Sequence, residues 1–104
     1  MSIYNLLKQA IIKKQQVIAT YNGYYREMCP HALGTKNGKD QCLFYQFGGQ
    51  SSSGLIIPGS ENNWRCIPVS GLENVSVRDG EWHTAYGHSK KQTCIDRVDV
   101  EVKS

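Results

Sequence analysis

The sequence predicts a mainly β domain: one N-terminal helix, five short strands forming a small, strongly bent barrel, and a C-terminal extension that ends in an edge strand. Three observations predict it. A helical apolar stripe is confined to the first fifteen residues, two Asn-Gly pairs then separate runs of β-forming residues, and one of those runs is apolar on both faces.

The helix rests on Ile3, Leu6, Leu7, Ala10 and Ile11, which recur at i, i+3, i+4, i+7 and i+8 and make one stripe. Ser2 suits the N-cap, Lys13 and Lys14 suit the C-terminal dipole, and Lys8 and Gln9 should face outward. The helix is expected within residues 1–15.

"QQVIATY" and "YYREMC" flank Asn22-Gly23, the strongest short hairpin signal, and supply the first two strands. Asn37-Gly38 precedes "QCLFYQF", where Leu43, Tyr45 and Phe47 alternate with Cys42, Phe44 and Gln46. Apolar content on both faces is what a tightly curved, closed sheet requires. "NWRCIPV" and "LENVSV", separated by Ser70-Gly71, complete the five, with Pro68 suited to an edge or bulge. The barrel is expected over residues 16–79.

Residues 80–104 form the extension. "GEWHTAYGHSKKQTC" has no clear period, whereas "IDRVDVEV" alternates apolar and charged residues, as a terminal edge strand guarded by Asp96, Asp99 and Glu101 would.

At 104 residues the chain is one domain's worth. Cutting it in the stretch "GGQSSSG" would leave halves near the lower limit for independent folding, so Gly48 to Gly54 read as a loop inside one fold. That loop lacks the Gly-Lys-Ser/Thr ending of a nucleotide-hydrolysing P-loop. It is either a plain surface loop or a pocket rim, where glycines admit an anion to the backbone amides and Ser51, Ser52 and Ser53 add hydroxyls.

Twelve Lys and Arg against nine Asp and Glu give a net charge of +3. This suits an anionic partner but is less than proteins that hold nucleic acid chiefly by backbone charge usually carry. "MSIYNLLKQAIIKKQQ" is interrupted by Lys8, reads as neither signal peptide nor membrane span, and predicts a cytoplasmic protein. Cys29, Cys42, Cys66 and Cys94 match no CxxC pairing, so reduced thiols in strands are expected, with no metal and no cofactor. Two chemical alternatives stay open: a Cys/His nucleophile, and zinc held by Cys94, His83 and His88.

"AIIKKQQVIATYNGYYREMCPHALG", "LFYQFGGQSSSG", "NWRCIPVSGLENVSV" and "AYGHSKKQTCIDRVDVEV", in that order, resemble a free-standing WYL domain, an Sm-like small barrel with an N-terminal helix. In that family the barrel is usually joined to a winged helix-turn-helix of bacterial transcription regulators and is regarded as a sensor of a ligand or of single-stranded nucleic acid. The arginine of the family's R-x-x-E-P pattern falls on Arg26, with Pro30, His31 and Gly34 in a "PHALG" variant. The arginine opening its R-x-F-x-L-D-R-I strand falls on Arg65, with Ile67 and Leu72 in register. The name-giving tripeptide would fall on Asp40, Gln41 and Cys42 and is absent, as are a glutamate at Cys29 and a second arginine at Gly71. With no helix-turn-helix within these residues, the stretch by itself is not expected to read duplex DNA in that family's manner.

The resemblance implies a non-enzymatic module binding a nucleotide, an oligonucleotide or a similar anionic ligand, alone, as a homo-oligomer or beside a regulator protein, and away from membranes. Arg26 and Arg65 would converge as guanidinium forks on phosphate or carboxylate. His31, Tyr45, Gln46 and the loop from Gln50 to Ser53 would complete the site. Tyr21 and Tyr25 are further stacking candidates beside the arginines. Docking of another protein through the barrel edge or the helix is the alternative.

Overall fold

Ser2 sets the start of helix α1 (Ile3–Lys13): its extended backbone places the side-chain oxygen where it accepts the Asn5 N–H at 3.1 Å. At the far end Lys14 turns left-handed, and the Gln15 N–H returns to the Ala10 carbonyl. Leu7, Ala10 and Ile11 are the buried part of the stripe. Lys8, expected to face outward, is half-buried, because its ammonium joins the Tyr4 hydroxyl at the Asp99 carboxylate. The computed structural model describes residues 2–50, 63–84 and 94–102; Ser51, Ser52, Ser53 and His88 lie outside them.

Strand β1 (Gln16–Tyr21) turns into β2 (Tyr24–Lys36) at Asn22-Gly23, and β2 turns into β3 (Lys39–Gly49) at Asn37-Gly38. All four turn residues have φ between 53° and 79°, the left-handed backbone that a type I′ turn demands. Then come β4 (Trp64–Pro68), a 3₁₀ turn at Val69–Gly71, β5 (Glu73–Arg78) and β6 (Arg97–Glu101). The antiparallel path runs β4-β3-β2-β1-β5, with β6 added on β2.

The expected second strand stops at Cys29; the real one continues through Pro30 to Lys36. Pro30 is tolerated because the register against β3 shifts between Pro30 and Ala32, leaving His31 as the extra residue of a bulge. On the opposite edge β1 pairs with β2 as far as Met28, and β6 takes over from Ala32. Gly34 admits β6: a Cβ there would collide with the Arg97 carbonyl oxygen.

The sheet is covered on both faces, as the double apolar pattern of β3 implied. One face holds the main core, where Leu7, Ala10 and Ile11 of α1 meet Val17, Met28, Leu33, Phe44 and Ile67. The other carries a smaller cluster of Ala32, Leu43, Cys94 and Ile95 against Trp64. The mainly β class with one helix is therefore as read, but the expected barrel does not close. Among the described residues no ladder joins β4 to β5, the two ends of the path. β4 ends at Pro68, which has no N–H to extend pairing, and α1 fills the core instead. No helix among the described residues is long and apolar enough to cross a membrane.

Candidate functional site

Arg26 enters from β2 and is only 3% exposed. Its Nη1 donates to Gln46 Oε1 at 3.2 Å, while Gln46 Nε2 donates to the carbonyls of Gly48 and Gln50 at 2.9 and 2.8 Å. Those two carbonyls orient the amide, since only its NH₂ end can satisfy them, and so the oxygen is left for the arginine. Gln50 is itself anchored by its N–H on the Tyr25 carbonyl. The guanidinium carbon stands 5.3 Å from the Tyr21 ring centre and 5.8 Å from that of Tyr24, within cation–π range.

Two features leave this charge unbalanced. Arg26 Nε is buried without a hydrogen-bond partner, and no ion pair among the described residues involves Arg26. Arg65 of β4 is the second: its positive charge, after burial itself, pushes the Arg26 pKa down. Burial lowers Arg65 likewise, and its Nη1 donates to the Trp64 carbonyl at 3.1 Å. Two desolvated guanidiniums brought together favour an anion.

Of the residues expected to share one site, Arg26, Gln46, the Gln50 backbone and Arg65 do come together. Tyr45 and His31 do not. Tyr45 neighbours Gln46 along β3 and so points to the opposite face. There it packs edge-on to Trp64 at 5.1 Å. His31, fully buried, lies at 4.8 Å from the Trp64 ring and 4.9 Å from the Trp82 ring. Its Nδ1 bonds the Cys29 carbonyl at 2.8 Å and its Nε2 the Thr84 hydroxyl at 3.0 Å. Tyr25, 47% exposed, bonds its hydroxyl to Glu27 rather than joining the arginines. The serine part of the loop lies outside the described residues.

Sequence reasoning passed over Tyr24, Trp64, Trp82 and Thr84. Tyr24 had a usable signal: it sits two residues before Arg26 on the same strand face. Gly71, where the resembled family has a second arginine, lies against the Tyr21 ring, which a Cβ would strike at 2.7 Å. An arginine there would displace the ring over which Arg26 sits.

The expectation of four reduced cysteines is overturned. Cys66 and Cys94 form a disulfide, because pairing of β4 with β3 and the return of the chain before β6 bring their Cα atoms to 5.7 Å. Zinc on Cys94 with His83 and His88 is therefore excluded in this state. Cys29 and Cys42 are free and buried. Burial raises Cys29 to about 11, against a smaller opposing effect of the His83 N–H, and raises Cys42 well above the ordinary thiol value. Both are thiols, not thiolates, at neutral pH, which disfavours the Cys/His nucleophile.

A cavity of about 520 Å³ lies elsewhere, at the β2–β3 turn, lined by Lys36, Lys39, Asp40, Gln41, Val69 and Ser70 among others. It mixes both charge signs and does not touch the arginines. Comparison with known protein families, curated proteins and solved structures gave no match.

Proposed function

We propose that this chain is a non-enzymatic binding module that takes a nucleotide, an oligonucleotide or a similar anionic ligand on Arg26 and Arg65, with Gln46 and the Gln50 backbone positioning the guanidinium. The observation that carries the reading is the buried Arg26 Nε, a donor without an acceptor in a site where Arg65 adds a second positive charge. A phosphate or carboxylate oxygen would satisfy that donor and offset the repulsion. Tyr21 and Tyr24 supply flat apolar surface for the ligand's uncharged part. The likeness to WYL domains favours a sensing or regulatory role, in the cytoplasm, beside a DNA-binding partner.

Fluorescence anisotropy with short single-stranded DNA and RNA, and thermal-shift titration with nucleoside monophosphates and inorganic phosphate, test the reading. Arg65→Ala should cost roughly 1.5–3 kcal/mol of binding, the worth of a charge-assisted hydrogen bond. If no anionic probe binds the parent, the reading fails.

A second reading, docking of another protein, is favoured by β4 and β5, which among the described residues end the strand path unpaired on their outer sides, and by Ile12 on α1, 59% exposed. A mass that rises with protein concentration in sedimentation, without ligand, would support it.

A further inference from the structure

The two sulfurs of the Cys66–Cys94 bridge are unlike. Cys66 lies exposed on β4, the strand at one end of the sheet path, whereas Cys94, in the segment that leads into β6, is 8% exposed. Gln41 of β3 serves both: its Nε2 donates to the Cys94 carbonyl at 2.6 Å and lies 3.0 Å from Cys66 Sγ and 3.7 Å from Cys94 Sγ. A disulfide with one exposed and one buried cysteine favours attack from one direction.

We propose that Cys66–Cys94 is a thiol–disulfide exchange site at which an external thiol of the glutathione type modifies Cys66 and releases Cys94. The incoming thiolate must approach along the S–S axis, and of the two cysteines Cys66 is the exposed one and Cys94 the buried one. Its electron pair forms the new S–S bond to Cys66. The Cys66–Cys94 bond breaks, its pair leaves on Cys94 Sγ, and that thiolate takes a proton from water. A second thiolate attacking the mixed disulfide gives glutathione disulfide and a free Cys66 thiolate, so the external thiols are oxidised and the bridge is reduced.

Leaving-group chemistry alone would favour the reverse order, since a buried Cys94 thiolate is poorly solvated. Access opposes it and decides, because the buried Cys94 offers an incoming thiolate little line of attack; the Gln41 amide lies beside both sulfurs, nearer to Cys66, and does not set the order. Cys29 and Cys42 do not compete, being buried and protonated. Exchange need not unfold the protein. Ile95 stays packed on Ala32, Leu43 and Trp64, and the Asp96 N–H keeps the Thr35 carbonyl at 2.9 Å. What changes is that β4, which carries Arg65, loses its covalent tie to the segment before β6. The inference rests on the bridge alone and survives if the anion-binding reading fails.

Protein purified without reductant is incubated with reduced glutathione, acid-quenched, alkylated and mapped by mass spectrometry, with circular dichroism recorded in parallel. The expected result is glutathione on Cys66 and alkyl on Cys94, exceeding the opposite pattern by about tenfold or more, with an unchanged spectrum. In Cys94→Ser, Cys66 should take up one equivalent from glutathione disulfide. Glutathione equally on both cysteines or chiefly on Cys94, a bridge that resists millimolar glutathione, a spectrum lost on exchange, or a purified protein lacking the bridge would each overturn the proposal.

Discussion

Thr84 Oγ1 and His31 Nε2 meet at 3.0 Å, and on the far side of the same ring Nδ1 faces the Cys29 carbonyl at 2.8 Å. A carbonyl only accepts, so Nδ1 carries a proton, and in the neutral ring Nε2 accepts from the Thr84 hydroxyl. His31 thereby ties residues before β6 to the bulge in β2, between the rings of Trp64 and Trp82.

Because that ring is buried and satisfied, His31→Ala should destabilise the protein by about 2–4 kcal/mol in urea unfolding, combining a cavity with orphaned partners. Thr84→Val, which removes one bond at an exposed position, should cost about 1 kcal/mol or less. Comparable small losses in both would show that the ring is not a structural pin.

Arg26 should behave in the opposite manner. Its guanidinium is desolvated, repelled by Arg65 and unsatisfied at Nε. Replacing it by an apolar side chain of similar length removes the cost of a desolvated, repelled charge, which offsets the loss of the donor to Gln46 Oε1. Arg26→Met should therefore change the melting temperature by no more than a few degrees while weakening any nucleotide or oligonucleotide binding by roughly tenfold or more. A drop of many degrees would make Arg26 a structural residue.

If an oligonucleotide is the ligand, only a handful of cations can contact it. Log affinity should then fall with log salt at a slope of about two to four. A flat response in anisotropy titrations would exclude nucleic acid and leave a small anion.

The contact between α1 and β6 sets an alkaline limit. Burial, with the hydrogen bond to Asp99, raises Tyr4 from 10.0 to about 12. The folded state therefore holds this proton more tightly than the unfolded chain. Its stabilising contribution is whole below the unfolded value and declines as pH rises through about 12. Asp99, accepting from Tyr4 and Lys8, is lowered, so its contribution is present above the unfolded carboxylate value and is lost as pH falls through the folded one. Urea midpoints of the parent should fall between pH 10 and 12. Tyr4→Phe should flatten that fall, and an unaltered slope would contradict the assignment.

Thiol counting is direct. Denatured, unreduced protein should react at two cysteines, and at four only after a reductant, whereas the folded protein should react slowly at Cys29 and Cys42. Four rapid equivalents would remove the bridge.

What could be read beforehand follows the range of the forces involved. The Ser2 cap and both Asn-Gly turns obey local rules, and they were legible because no distant contact competes with them. Pro30 reads as a strand breaker in isolation; only the His31 bulge, an arrangement of two strands, lets β2 pass through it. The approach of Arg26 and Arg65 came from resemblance rather than from pattern. The split of Tyr45 from Gln46 was available from simple alternation. The bridge was not, since it depends on β4 and the segment before β6 converging on Gln41.

The long strand β2 has a kinetic consequence. Its first half finds neighbours nearby in the chain, through two tight turns. Its second half, Ala32 to Thr35, receives its other neighbour only from Arg97–Glu101. Closing that ladder joins segments more than sixty residues apart in the chain, so its entropy must be lost before any of its hydrogen bonds form. Such a high contact order slows folding. Until β6 arrives, the Ala32–Thr35 edge lies open to strands of other chains, and early misassembly should begin there.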